Sequence, residues 1–443
     1  MTFSKLIARM ILCLLAACQA VTQAQPRDTA TVSVPAESPS GPSRVTIQNV
    51  DGDYQLLRNG EPYEIKGVGA KYNLKDIATA GANSIRTWDA KDIGPLLDEA
   101  HELGITVIVG FWLPHPGDDG FSYGDQEALD KETEEDLAFV KQYKDHPAVL
   151  MWALGNEMEG SGKDIRIFQY INELSQKVKA IDPNHPTMTV TAGVNMFKVV
   201  NFMKYCPDVD VFGPNIYGED IRSSVEKLRT YGMTKPFIIP EFGPPGQWDT
   251  KTPWGAPIEM NSTDKARCYL RHYFDPILAE RGWCIGSYAF YWQYDPAERQ
   301  WPSWYSMVDP HGPRYGGADA MTYAWTGRWP DNHAPEIAML RSEADQKIIK
   351  PGSEFTVTLV ASDPDNDPIR VQWVLGLDHE ISGMKSHLDQ KIPESEFIAD
   401  GSGKRIVVRA PMQEGAYRLN VFVYDDHNRA ARASSPFYVL SEY

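Results

Sequence analysis

The sequence predicts an α/β protein: a (β/α)8 barrel followed by an all-β, immunoglobulin-like sandwich. Three observations carry this. Short apolar runs alternate with amphipathic helical stretches from Val45 to about residue 330, a span of about 285 residues, which is the size of one such barrel. Two of the runs, 151–157 (MWALGNE) and 236–243 (PFIIPEFG), stop at a carboxylate and break at small residues or glycine, as buried parallel strands do. Beyond His333-Ala334-Pro335 the period changes to two.

The chain opens on Lys5 and Arg9 before an apolar run over 10–17. Charge and length read as a secretory signal peptide, too short for a permanent membrane span. It ends Leu15-Ala16-Ala17-Cys18, which resembles the bacterial lipoprotein box. The resemblance implies a signal peptide over 1–18, lipidation at Cys18 and a lipid-anchored position in the cell envelope, facing the periplasm or in the outer membrane. The alternative is an ordinary signal peptide cut after Ala24. Residues 19–44 are rich in Pro, Ser, Thr and Ala and read as a flexible tether.

The catalytic-barrel span is 45–331. A hairpin over 45–63, with a turn at Asn59-Gly60, is expected to cap the barrel bottom. Strands are expected at 64–69, 83–88, 106–112, 149–156, 187–191, 209–216, 237–241 and 285–292. Helices are expected at 93–103, 131–143, 164–181, 223–231 and 263–281, the last with a cap near Thr263-Asp264. An open, doubly wound sheet would want a Gly-rich phosphate turn after its first strand. Gly67-Val68-Gly69 lacks the third glycine and a following helix start. Residues 332–443 read as the sandwich, with alternating Phe355, Val357 and Leu359, then Ile369, Val371 and Trp373. Its Asp363/Asp365/Asp367 run reads as a solvated turn or a Ca²⁺ loop without an EF-hand frame.

In a closed barrel the ends of the fourth and seventh strands face each other across the mouth. Glu157 and Glu241, 84 positions apart (241 minus 157), would meet there. Two such carboxylates are the equipment for cleaving a glycosidic bond: one protonates the leaving oxygen, the other attacks or activates water.

Around these glutamates the chain resembles a clan A glycoside hydrolase. The resemblance implies that Glu157, after Asn156, is the acid/base and Glu241 the nucleophile. It implies further that Arg86, in Asn83-Ser84-Ile85-Arg86-Thr87-Trp88, lies near the nucleophile. Asn156 would bond a sugar 2-hydroxyl, Tyr217 in Pro214-Asn215-Ile216-Tyr217 would orient Glu241, and Trp292 in Ala289-Phe290-Tyr291-Trp292 would floor the central subsite. A carboxyl separation of about 5 Å, hence net retention through a covalent glycosyl-enzyme, is implied too. The opening 64–69 (EIKGVG) is similar to β-galactosidase-type and β-1,3-glucanosyltransferase barrels, which leaves hydrolysis and transglycosylation both open.

Further substrate candidates are Trp112, His115 (a sugar contact or a turn histidine) and Trp248, with Trp254 in the same long loop and Trp301 and Trp304 beyond strand eight. Glu159 and Asp89 read as solvated or orienting acids. A net charge of -17, from 43 basic and 60 acidic residues, opposes nucleic acid and polyanionic glycans and suits a neutral glycan, probed by some of the 12 Trp and 21 Tyr. Five cysteines, two of them in the leader, give no metal spacing and at most one disulfide. No cofactor and no metal are expected, and nothing fixes the oligomeric state. A non-catalytic glycan-binding lipoprotein would be the reading if either glutamate were missing. The C-terminal module either binds carbohydrate or spaces and stabilises the barrel, with Trp373 in its core.

Overall fold

The computed structural model describes residues 41–293, 304–309, 312–378, 397–399 and 403–441. The leader with Cys18, the tether up to residue 40, and Trp301 lie outside the described residues. The last tether positions are already fixed: Ser43 is buried, and its Oγ donates to the Val149 carbonyl at 2.8 Å.

Strands β1 (Val45–Val50), β2 (Asp53–Arg58) and β3 (Glu61–Pro62) form a small antiparallel sheet. It has two turns where one was expected, at Asp51-Gly52 and Asn59-Gly60, all four residues in the left-handed region. Val45, Leu56 and Ile65 pack with Ile108, Met151, Met188, Val211, Ile238 and Ile285. This sheet therefore closes the barrel floor, where inward side chains would otherwise meet water.

The barrel strands are β4 (Gly67–Gly69), β5 (Ser84–Arg86), β6 (Thr106–Phe111), β7 (Val149–Asn156), β8 (Thr187–Ala192), β9 (Val211–Tyr217), β10 (Phe237–Gly243) and β11 (Cys284–Ala289). All neighbours are parallel, and β11 pairs with β4 to close the ring. Strands β6, β7 and β10 are buried at every position, so they read as unbroken apolar runs.

Helices α1 (Leu74–Thr79), α2 (Gly94–Glu102), α3 (Gln126–Tyr143), α4 (Ile165–Ile181), α5 (Met196–Tyr205), α6 (Asp220–Thr230) and α7 (Ser262–His272) pack outside, with α8 (Gly316–Thr326) after β11. Asn261 caps α7 by accepting from the Asp264 N–H at 2.9 Å. The expected single helix over 263–281 instead widens into a π turn at Tyr273–Ile277, where Pro276 has no N–H to donate. Cys206, Cys268 and Cys284 are buried free thiols.

Two sheets follow. One orders β12 (Arg314–Tyr315), β20 (Arg429–Val439), β19 (Gly415–Tyr424) and β16 (Arg370–Leu377), with β14 (Ile348–Ile349) also on β20. The other orders β13 (Glu336–Ser342), β15 (Glu354–Ser362), β18 (Arg405–Arg409) and β17 (Phe397–Ala399). Phe355, Val357, Leu419 and Phe437 fill the space between them. Trp373 packs at this core, and its Nε1 donates to the Gly403 carbonyl at 2.9 Å. The boundary is shared: β12, which precedes α8, is a strand of the sandwich.

Candidate active site

Strand β7 ends in a tight reversal. Gly155 has φ +79°, and Glu157 itself sits at φ +58°, a left-handed conformation that a β-carbon makes costly. The Glu157 N–H donates to the Val190 carbonyl at 2.9 Å, which pins the turn to β8. The reversal carries the Glu157 side chain to the C-terminal mouth. Asn215 Nδ2 donates to its Oε1 at 2.7 Å. Burial, then the charge of Glu241, push the Glu157 carboxyl above the usual range, and the Asn215 hydrogen bond opposes them.

Glu241, buried at the end of β10, meets a different set of groups. Its Oε1 accepts from Arg86 Nη1 at 2.7 Å and from Trp88 Nε1 at 2.7 Å, and its Oε2 accepts from the Tyr217 hydroxyl. All three partners are donors, so the group they enclose acts purely as an acceptor, as a carboxylate does. Burial and the Glu241 charge drive the Tyr217 phenol well above its ordinary value, which keeps it protonated and donating. Arg86 also ties the two halves together, because its Nη2 donates to Asn156 Oδ1 at 2.6 Å.

The remaining candidates divide. His115 Nε2 lies 3.1 Å from the Asn156 carbonyl, and its ring stacks on Trp112 at 5.6 Å. His115 thus braces the β7 reversal, while Trp112 stays 49% exposed as a platform on the rim. Trp248, 55% exposed, stands edge-on to Tyr217 at 5.5 Å. Trp254, from the same loop, packs against Tyr438 of the sandwich instead. Trp304 Nε1 donates to the Pro245 carbonyl at 2.9 Å, bracing the loop after Glu241. Asp89 pairs with Lys71, and Glu159 is buried against Lys198 at 2.6 Å.

Trp292 requires a correction. Strand β11 ends at Ala289, and although the Trp292 N–H still bonds the Gly69 carbonyl at 3.0 Å, its side chain faces the outer helices. Trp292 is fully buried against Trp325, with its Nε1 directed to Asp76 Oδ2 at 3.1 Å. The aromatic wall of the mouth is Phe290, whose ring meets Trp88 and Tyr217 at 5.7 Å each and Tyr305 at 5.2 Å. Trp88, Asn215, Phe290 and Tyr305 are site residues that sequence reasoning missed. Two had a signal: Trp88 is two positions after Arg86 and Asn215 two before Tyr217, so alternation puts each pair on one strand face. Gly69 makes room for this, since a β-carbon there would come within 2.8 Å of the Trp88 ring.

Comparison with known proteins agrees with the barrel fold. The family model described as the TIM barrel domain of family 2 glycosyl hydrolases matches residues 66–249, from the first barrel strand into the loop after Glu241. Mannan endo-1,4-beta-mannosidase F of Aspergillus clavatus is 29% identical over 155 residues, covering 30% of this chain and 34% of that protein. A beta-glucuronidase of Paenibacillus borealis is 31% identical over 162 residues, covering 31% and 26%. The matched stretch is thus about a third of each curated relative or less. Beta-glucuronidase 2 of Bacteroides uniformis superposes with a TM-score of 0.51 at 15% identity, covering 89% of this chain and 48% of that one, a likeness of fold.

Proposed function

We propose that the protein is a retaining β-glycoside hydrolase, with Glu157 as acid/base and Glu241 as nucleophile. One observation carries the reading: two carboxylates share the barrel mouth in opposed environments. Glu157 is pushed toward its protonated form, whereas Glu241 is enclosed by Arg86, Trp88 and Tyr217. That asymmetry sorts a proton donor from a nucleophile. In the first step Glu241 attacks the anomeric carbon while Glu157 protonates the leaving oxygen. In the second, Glu157 takes a proton from water, which releases the sugar from Glu241 with its configuration restored.

The substrate we infer is a neutral β-linked polysaccharide or oligosaccharide, a β-glucan first. The net charge of -17 disfavours a chain of acidic sugars, and exposed Trp112 and Trp248 offer stacking faces to a neutral ring. The test is a screen of β-glucans, β-mannans, β-glucuronides and aryl β-glycosides, with product size and anomeric configuration read out. Incubation with a 2-deoxy-2-fluoro glycoside should add one sugar mass to the peptide holding Glu241. Products of inverted configuration, or label on any other residue, would sink the reading. Products longer than the substrate at high acceptor concentration would make the enzyme a transglycosylase through the same intermediate. We propose too that Cys18 anchors the chain in the cell envelope. Cys18→Ser should move it from the detergent phase to the aqueous phase, and an unmoved variant would end that idea.

A further inference from the structure

The segment 363–368 (DPDNDP) joins β15 to β16 and carries an aspartate at every second position. Asp363 Oδ1 accepts the N–H groups of Asp365 at 2.8 Å and Asp367 at 3.2 Å. Those bonds curl the turn until ligand oxygens of Asp363, Asp365 and Asp367 lie within 4.8 Å of one another. From the neighbouring turn between β19 and β20, Asp425 and His427 come equally close to Asp367. Asp367 therefore belongs to both groups, and the carboxylates of two turns, one crossing between the sheets and one joining the β19–β20 hairpin, converge on it.

One member of this cluster carries an unmatched atom. Asp363 is only 8% exposed, and its second oxygen, Oδ2, has no hydrogen-bond partner. A buried carboxylate oxygen without a donor is costly, and like charges this close add repulsion. The ion-pair partners of the cluster among the described residues are imidazoles, charged only when protonated. His333 Nδ1 is 3.1 Å from Asp365, and His427 Nδ1 is 3.1 Å from Asp367.

We propose that Asp363, Asp365, Asp367 and Asp425 bind one Ca²⁺ ion. Carboxylate oxygens are the hard ligands Ca²⁺ takes, at about 2.3–2.6 Å, so oxygens on opposite sides of the ion stand about 4.6–5.2 Å apart. Ligand oxygens that all lie within 4.8 Å of one another are close enough to share one such ion. Mg²⁺ is strictly octahedral at about 2.0–2.1 Å and keeps several of its waters, so a cage made of several carboxylates suits Ca²⁺ better. The bound ion supplies the missing partner for Asp363 Oδ2. It also fastens the segment crossing from the barrel, because the His333 N–H donates to Asp365 Oδ2 at 2.7 Å and Asn332 Nδ2 to Asp425 Oδ2 at 2.7 Å. The site is independent of the glycosidase reading.

Calorimetric titration of the EGTA-treated full chain with CaCl2, at fixed ionic strength, tests this. One equivalent should bind with Kd of about 10⁻⁵ to 10⁻³ M, and the melting temperature should rise by a few degrees. Asp367→Asn should weaken binding at least tenfold, and Asp425→Asn should do so independently. Both variants should keep their melting temperature in EGTA, or gain, because a repelling charge is gone. No binding up to about 10 mM CaCl2 would overturn the site, as would wild-type affinity in both variants or an equal response to MgCl2.

Discussion

At the scale of single residues, the two glutamates were legible because each ends an apolar run. Their supporting groups were legible only in part. Arg86, Asn156 and Tyr217 stand out by resemblance, while Trp88 and Asn215 are marked only by the alternation that pairs them with Arg86 and Tyr217. Tyr217→Phe removes one charge-assisted donor from Glu241, an interaction of about 1.5–3 kcal/mol. Turnover should fall about 10- to 100-fold, with the melting temperature lower by a few degrees at most. Steady-state kinetics on an aryl β-glycoside would measure it, and an unaltered kcat would remove Tyr217 from the mechanism. Asn215→Ala tests the acid. The Asn215 bond lowers the Glu157 pKa, so its loss should raise that pKa further and carry the alkaline limb of kcat to higher pH. A limb that moved to lower pH would contradict the assignment. Stability follows by linkage. Glu157 has a raised folded-state pKa, so its ionisation weakens the fold as pH climbs past the unfolded value and through the folded one. Glu157→Gln should therefore melt higher than wild type at neutral pH. The advantage should vanish below the ordinary glutamate value of 4.5, where both states are protonated.

At the scale of elements, the longer barrel strands were legible because burial on both faces leaves mainly apolar runs, broken by a polar residue where a strand reaches the mouth. The helices were less so. Helix α1 has six residues, too few to display a period. Helix α5 (MFKVVNFMKY) exposes Met196, Phe197 and Val200, so its apolar residues do not mark the buried face alone. Helix α8 opens on Gly316-Gly317, and Gly317 lies where a β-carbon would press on Met307 at 3.3 Å. The end of β11 misled for a related reason. A tryptophan near a strand end satisfies a pattern whether it faces the mouth or the outer helices, and only the turn after Ala289 decides. The two tryptophans now make opposite predictions. Trp112→Ala removes an exposed rim face and should raise KM several-fold at constant melting temperature. Trp292→Ala empties a buried site and should cost about 3–5 kcal/mol of stability, with KM unchanged in whatever fraction folds. Melting curves beside KM for both variants check the pair. A raised KM in Trp292→Ala without loss of stability would return it to the subsite.

At the scale of the whole molecule, what the sequence could not display is how the sandwich is joined to the loop behind Glu241. Glu259, whose side chain is buried, accepts from Lys265 at 2.5 Å and pairs with Arg432 of β20, 173 positions away in the chain. Arg418 of β19, paired with Asp378 at 2.8 Å, donates to the Pro257 carbonyl at 2.7 Å. Lys265 donates also to the Trp304 carbonyl at 2.5 Å, and Trp304 in turn holds Pro245. Charges of this kind look like solvated surface in a sequence, since nothing local marks their partners. The arrangement favours a stabilising module over a free spacer. Leaving a buried charge with no partner costs about 3–5 kcal/mol; without Arg432, Glu259 keeps Lys265 alone, so the loss is a part of that. Arg432→Ala should therefore melt several degrees lower, and it should lose kcat/KM as the 244–261 loop and Trp248 slacken against Tyr217. Arg432→Lys, which keeps the charge, should recover part of both. Truncation after Asn332 should do more damage still, because it strips β13 and β20 from the face of α7, where Ile337 N–H bonds Thr263 Oγ1 and Arg432 N–H bonds Ser262 Oγ. A truncated barrel with the melting temperature and kcat/KM of the full chain would show instead that these contacts join two parts that stand alone, and would return the sandwich to the role of spacer.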